Sequence, residues 1–368
     1  MGGGAVRTRK NIRRVQGFGL VEVLVAITIG LILLAGAISM LATNKWTYRV
    51  VEHQSRIQEN ARYALETIAR DLRTAGYFGC LDNVKVANHV NGATGGSLLD
   101  TSIPVDGLEN YDPAGATANK TWYPSGSVTM PTGIVTGSDA IGIRFLDPTT
   151  AVSIIPPLMP TSSSALHTAP GNGLSVGQIV AVTDCDNADI FQITGPQDPD
   201  TTGTFNHNTG GGVLPGNATG NLSKTYDDDA TIMQMASVTY FIGTGADGRP
   251  ALFRGVIPAT GNMSVMDTRE LIQGVEQMHI LYGKDTTGDN VPDTYLKAGA
   301  AGLTTDVNWD SVINLRISIM VSSDEEVGQE VDNQARALLD ENVAAANDRR
   351  YRRVFTTTIN MRNKASAS

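Results

Sequence analysis

Basic charge is scarce in this sequence after Gly17. Residues 1–17 contain five Lys and Arg and no acid, so without them the formal net charge falls from −9 to −14. An acidic body is a poor surface for nucleic acid, whose phosphates bind cations. A later basic cluster comprises Arg349, Arg350, Arg352 and Arg353, and we interpret it as a solvated strand edge. The sequence therefore predicts no specific nucleic-acid partner.

Motifs for catalysis and cofactor binding are also missing. The five histidines show no paired ligand spacing, and the glycines at 210–212 lack the Lys-Ser/Thr pair of a phosphate loop. Residues 173–177 read G-L-S-V-G, but a nucleophilic Ser175 needs a strand before it and a helix after it, and a Pro-Gly-Asn loop precedes it. We expect no enzyme activity, no cofactor and no metal.

The stretch D-T-T-G-D-N-V-P-D is the nearest approach to a metal motif. Asp285, Asp289 and Asp293 fall at positions 1, 5 and 9 of a calcium-binding loop. Asn290 stands in place of the glycine at position 6, and Leu296 in place of the glutamate at position 12. These departures favour a polar turn, with a calcium site as the alternative.

Charge is absent from the hydrophobic run at residues 23–42. As a helix the run spans about 30 Å, the hydrocarbon thickness of a bilayer. No A-x-A-like cleavage site follows it, which argues against a secretory signal peptide. Because the basic leader stays in the cytoplasm, everything after Thr43 should lie across the membrane. A plain signal anchor would account for the hydrophobic run and this orientation.

The helix is predicted to continue beyond the membrane to Ala75. In residues 44–75 the apolar side chains recur at spacings of 3 and 4, with Glu-Arg pairs at positions i and i+4 on the wetter face. Gly76 supplies a stop signal. We expect the outer half of this helix to pack against a sheet.

The remaining sequence is typical of strands and loops. It is rich in Gly, Thr, Ser and Asn and contains no internal repeat, and with 41% hydrophobic and 18% charged residues the chain can bury a core. Residues 83–131 and 196–224 look like long loops, and 324–347 like a helical insertion or a loop. The predicted strands lie at residues 140–146, 178–184, 189–195, 237–243, 251–257, 275–283, 313–321 and 352–363.

The stretch Q-G-F-G-L-V-E at the start of the hydrophobic run resembles the class III leader of type IV prepilins. The resemblance implies that a prepilin peptidase cuts between Gly17 and Phe18 and that the new amine of Phe18 is methylated. That amine would pair with Glu22, whose lone carboxylate is costly in lipid. Gly19 replaces the more usual Thr or Ser. On this interpretation Glu22 serves assembly.

Five further blocks resemble the PilW family of minor pilins: residues 60–80, 176–194, 248–255, 271–295 and 349–363. The resemblance implies an α+β pilin-like fold, with a long N-terminal helix, transmembrane then amphipathic, packed on a mainly antiparallel β-sheet head. It also implies a role in priming pilus assembly at the fibre tip. The implied partners are other minor pilins, the major pilin, a large tip adhesin, the prepilin peptidase and the inner membrane. The alternatives are a minor pseudopilin of type II secretion and a signal-anchored periplasmic binding or adhesive domain.

Four segments follow from this interpretation. Residues 1–17 are the basic leader, 18–43 the transmembrane half-helix, 44–76 the amphipathic half-helix and 77–368 a periplasmic β-rich head, later at the pilus tip or cell surface. The two cysteines, Cys80 and Cys185, both lie in family-like blocks of the head. An oxidising periplasm favours a disulfide between them, and two separate buried thiols are the alternative.

Overall fold

The computed structural model describes residues 19–79, 85–93, 99–110, 133–210, 212–257, 266–303 and 309–363. The chain divides into two compact units, residues 1–52 and 53–368. The helices are α1 (Leu20–Thr74) and α2 (Pro199–Thr202). The strands are β1 (Lys85–Asn88), β2 (Val105–Leu108), β3 (Ala140–Ser153), β4 (Leu166–His167), β5 (Ile179–Thr183), β6 (Asn187–Gln192), β7 (Thr204–Phe205), β8 (Thr231–Thr244), β9 (Pro250–Val256), β10 (Asp267–Gln273), β11 (Val275–Lys284), β12 (Thr294–Leu296), β13 (Val312–Ser322), β14 (Arg336–Leu338), β15 (Glu341–Val343) and β16 (Arg352–Asn360).

The first unit contributes the part of α1 that ends at Glu52. Most of its large apolar side chains are exposed, among them Leu20 at 79% and Val23 at 45%. The hydroxyl of Thr28 bonds within the helix: Thr28 Oγ1 donates to the carbonyls of Leu24 and Val25 at 3.0 and 2.9 Å. This helix is long and apolar enough to cross a membrane by length and composition.

In the second unit, the last part of α1 buries one stripe, as its spacing predicts. The buried residues are His53, Ile57, Ala61, Ala64, Ile68, Ala69 and Leu72. The alanines in this stripe allow close approach of the strands, and Gly76, at φ 74°, adopts the left-handed conformation that ends helices.

Two sheets pack with this helix segment around the main core. The larger sheet has the order β1-β6-β5-β8-β3-β2, and β9 pairs with β8 and with β10. All its pairs are antiparallel except β1 with β6. The smaller sheet is antiparallel with the order β12-β11-β13-β16. Residues of α1, β3, β8, β11 and β13 share one buried cluster.

A second core lies away from the helix. It includes Val180, Val182, Phe191, Phe205 and Ile232, each with no measurable exposure. It therefore forms around β5, β6 and the β4–β7 pair, in a part of the head that the sequence pattern identified only as two strands between loops.

The α+β fold and the long helix are confirmed, and each of the eight predicted strands overlaps an observed one. The prediction of a helical insertion at residues 324–347 is wrong, since this segment is a loop that carries the two-stranded hairpin β14–β15. The hairpin buries Leu338 and turns through Leu339 at φ 57°, a left-handed conformation that a helix does not contain. The loop alternative was correct.

Candidate assembly surfaces

Glu22 lies in the first turn of α1 with its side chain exposed. Its backbone N–H donates to the carbonyl of Gly19 at 3.0 Å. Its carboxylate has neither a hydrogen bond nor an ion pair within the described part of the chain. Among the described residues, the helix thus presents one carboxylate without an ion-pair partner at the edge of an apolar surface.

Three other predicted site residues, Gly17, Phe18 and Cys80, lie outside the described residues. Cys185 lies in the turn between β5 and β6 at φ 78°, and it is disulfide-bonded. Its pairing with Cys80 stays a prediction, as do the cleavage and methylation at Gly17 and Phe18.

A buried polar cluster fixes α1 against the larger sheet. The Tyr240 hydroxyl donates to Asp71 Oδ2 at 2.7 Å, and Arg254 Nε donates to the same oxygen at 3.0 Å. Tyr240 has no measurable exposure. Burial and the charge of Asp71 raise the pKa of Tyr240 far above its ordinary value, so the hydroxyl remains a donor. This cluster joins parts of the chain that are distant in sequence, and no sequence signal marked it.

A groove of about 670 Å³ lies between α1 and β16. The helix supplies Ser55, Gln58, Glu59, Arg62 and Leu65, and the strand supplies Arg353 and Phe355. Leu65 and Phe355 are partly buried against the main core and give the groove an apolar margin. This groove opens beside the outer edge of β16, which ends its sheet among the described strands.

The basic cluster at the start of β16 is not simply a solvated edge. Arg352 is 8% exposed and makes paired bonds to Glu276, at 2.6 and 3.0 Å, and to Asp348, at 2.5 and 2.7 Å. Hydrogen bonds from Arg352 lower the pKa of Asp348 to about 2. The solvated interpretation was wrong for Arg352, because β11 brings Glu276 to it and Asp348, four residues earlier, also binds it. The interpretation holds for the exposed Arg349 and Arg353.

The acidic loop at 285–293 folds as a polar turn. Asp285 accepts backbone N–H groups of Thr287, Gly288 and Asn290 at 3.0, 2.6 and 2.8 Å, and Asp293 accepts that of Thr286 at 2.6 Å. Desolvation raises the pKa of Asp285, but these bonds outweigh it and hold the pKa below its ordinary value. In the described ranges, no group of three or more His, Cys, Asp and Glu is placed to hold a metal ion.

One histidine cluster resembles a catalytic set by composition but not by geometry. Asp189, fully buried, accepts from Ser223 Oγ at 2.5 Å and Tyr226 at 2.6 Å, and lies 2.5 Å from His89 Nε2. Despite its burial, these bonds hold the pKa of Asp189 below its ordinary value. Since the serine donates to the aspartate and not to the histidine, the histidine is not placed to activate it as in a Ser-His-Asp triad. The cluster links β6 to the loop before β8 through Ser223 and Tyr226.

A second polar cluster joins the end of β2 to the β14–β15 hairpin. Lys297 contacts Glu109 at 3.4 Å and Asp340 at 3.1 Å, and also Glu341. Burial and the nearby charge of Asp139 raise the pKa of Glu109 to about 7. Glu109 therefore takes up a proton near neutral pH, which provides a test of this cluster.

Two family models match the chain. The first is described as Type IV Pilus-assembly protein W and covers residues 239–363, and the second is described as the prokaryotic N-terminal methylation motif and covers residues 12–38. These two matches support a PilW-family, type IV pilin-like protein. No curated protein and no solved structure matches it.

The matched ranges contain only part of the surfaces described above, since the helix side of the groove lies outside both of them. The methylation motif includes Gly17, Phe18 and Glu22, and the PilW match includes Tyr240 and all of β16. The blocks at 60–80 and 176–194 lie outside both matches, so their likeness to the PilW family stays a prediction. Both families consist of pilus-assembly structural proteins, not enzymes.

Proposed function

We propose that this PilW-family protein is a minor pilin. The prepilin peptidase cuts its leader after Gly17, and the amine of Phe18 is methylated. The first half of α1 crosses the inner membrane once and the head lies in the periplasm. The chain then joins other minor pilins, the major pilin and a large tip adhesin in the complex that initiates the fibre. The disulfide of Cys80 with Cys185 stabilises the head.

The observation that supports the proposal is Glu22, which has no ion-pair partner among the described residues and lies on an exposed apolar helix. A charged side chain at the centre of a membrane-spanning helix costs roughly 2.5–3.5 kcal/mol on insertion scales, and a group nearer the edge costs less. A cationic amine, from Phe18 of the same chain or of a neighbour, offsets that cost. A plain signal anchor has no use for the acid. The PilW match favours the pilus over a secretion pseudopilus.

Replacing Glu22 with alanine separates anchoring from assembly. We expect the Glu22→Ala variant to be cleaved and inserted into the membrane to the same extent as the parent, since the cut site is unchanged and a costly acid is removed. Recovery of co-expressed minor pilins and the number of surface pili should fall at least about fivefold. Thr28→Ala is the matched control, because its hydroxyl is satisfied within the helix, and it should behave as the parent.

Processing is tested separately at the leader. Gly17→Val should block cleavage because the peptidase must accommodate a residue without a side chain, and the intact mass should then include residues 1–17. Normal processing of Gly17→Val would contradict the prepilin interpretation.

Undiminished partner recovery and piliation by Glu22→Ala would show that Glu22 does not serve assembly.

A further inference from the structure

The outer edge of β16 is regular, and no strand in the described part of the chain pairs with it. The strand contains no proline and keeps one continuous register with β13 from Arg352 to Asn360. Natural sheets usually protect such an edge with a bulge, a proline or a covering segment. Among the described strands β16 pairs only with β13, so its second edge forms no ladder with any of them.

The hydrogen bonds beside β16 show which residues face outward. Met361 N donates to Ile313 O at 3.0 Å, and Ser323 N donates to Tyr351 O at 2.8 Å. Because hydrogen-bonded pairs alternate along an antiparallel ladder, the odd-numbered residues between these positions bond to β13. The backbone N–H and C=O groups of Val354, Thr356 and Thr358 therefore point to the free edge, and they make no hydrogen bond to other described residues.

The side chains beside this edge determine what fits there. Arg353 and Phe355 lie on the strand face that turns toward α1 and line the groove with Leu65 and Arg62. Arg62 and Arg353 form no ion pair with any described residue, and Glu59 is the one acid in the lining. The groove thus offers an apolar margin, excess positive charge and a row of backbone donors and acceptors.

We infer that β16 and this groove bind an extended segment of another pilus subunit by strand addition. The added strand carries an apolar residue over Leu65 and Phe355 and acidic residues beside Arg62 and Arg353. Backbone hydrogen bonds supply affinity in this binding mode, and the side-chain contacts supply specificity. The identification of the partner as a pilus subunit rests on the proposed function.

One pair of substitutions at Thr356 isolates the backbone bond. Thr356→Pro removes an outward N–H and Thr356→Ala keeps it, and both lose the same side-chain bond to Ser318 Oγ at 3.0 Å. Proline is tolerated on an edge strand where its nitrogen faces away from the ladder. With full-length protein co-expressed with the minor and major pilins, Thr356→Pro should reduce recovery of a partner subunit at least tenfold relative to Thr356→Ala.

Charge reversal provides an independent test that leaves the strand intact. The double variant Arg62→Glu/Arg353→Glu should reduce the same recovery at least tenfold. Arg70→Glu, at an exposed helix position outside the groove lining, should leave recovery unchanged. A photoreactive residue in place of Gln58 should cross-link to an acidic segment of that subunit, identified by mass spectrometry of the cross-linked peptide.

The outcomes separate this inference from the proposed function. Equal recovery by Thr356→Pro and Thr356→Ala, with both heads folded by their thermal midpoints, overturns strand addition even if the arginine variants bind poorly. Cross-links to a helical or basic segment also overturn it. A parent chain that recovers no pilus subunit contradicts the proposed function and this inference together.

Discussion

Two buried tyrosines in the head should respond oppositely to loss of the hydroxyl. Tyr240 donates to the carboxylate of Asp71 at 2.7 Å, and Tyr282, 1% exposed, has a hydroxyl without any hydrogen-bond partner in the described structure. A hydrogen bond to a charged group contributes about 1.5–3 kcal/mol. A buried hydroxyl without a partner costs about 1–3 kcal/mol.

We therefore expect Tyr240→Phe to lower the free energy of unfolding by about 2 kcal/mol. The value is in the lower half of the range because Asp71 keeps its bond to Arg254. Tyr282→Phe should be neutral or should raise stability by up to about 2 kcal/mol, because it removes the cost of the buried hydroxyl. The ring at position 282 still packs edge-on against Trp309, with 4.7 Å between the ring centroids of Tyr282 and Trp309. The two substitutions remove the same atom from equally buried sites.

The measurement is urea unfolding of the oxidised, detergent-solubilised chain, followed by near-ultraviolet circular dichroism of the head. Equal m-values across parent and variants are required before the free energies are compared. A loss below about 0.5 kcal/mol for Tyr240→Phe, or an equal loss for both variants, would refute the assignment of the Tyr240 bond as a stabilising link between α1 and the sheet.

Two further predictions concern the head. Cys80→Ser should lower head stability by up to about 4–5 kcal/mol, the chain-entropy value for closing a loop of about 105 residues, without reducing the membrane level; free thiols at both positions in the purified parent would contradict the bridge. For Glu109, whose folded pKa is about 7 against an ordinary 4.5, the folded state binds the proton more tightly than the unfolded state. The resulting stabilisation is complete below about pH 4.5 and is lost as pH rises through 7. The Glu109→Gln variant should lack this pH-dependent stabilisation. In urea titrations, the difference in free energy of unfolding between parent and variant should therefore change between pH 4.5 and 7. A constant difference would refute the raised pKa of Glu109.

Local sequence determined those helices and strands whose hydrophobic pattern lies within one continuous segment. The charge-free run, and the apolar residues spaced 3 and 4 apart from Ile57 to Leu72, specify a long helix. Helix periodicity can be recognised from residues that lie close together in the sequence. The alternation from Leu315 to Val321 specifies β13 for the same reason. The leader around Gly17 is likewise local, so it indicates the family without any information on long-range contacts.

Only the tertiary structure decided which distant residues meet. Asp71 reaches Tyr240 across 169 positions, and Arg352 is buried because β11 brings Glu276 to it. The strands β1 and β2 form in a stretch whose composition indicates loops, because neighbouring strands satisfy their backbone groups. Whether β16 has a free edge depends on strand order, which is set by long-range pairing and packing and is not encoded in any local period.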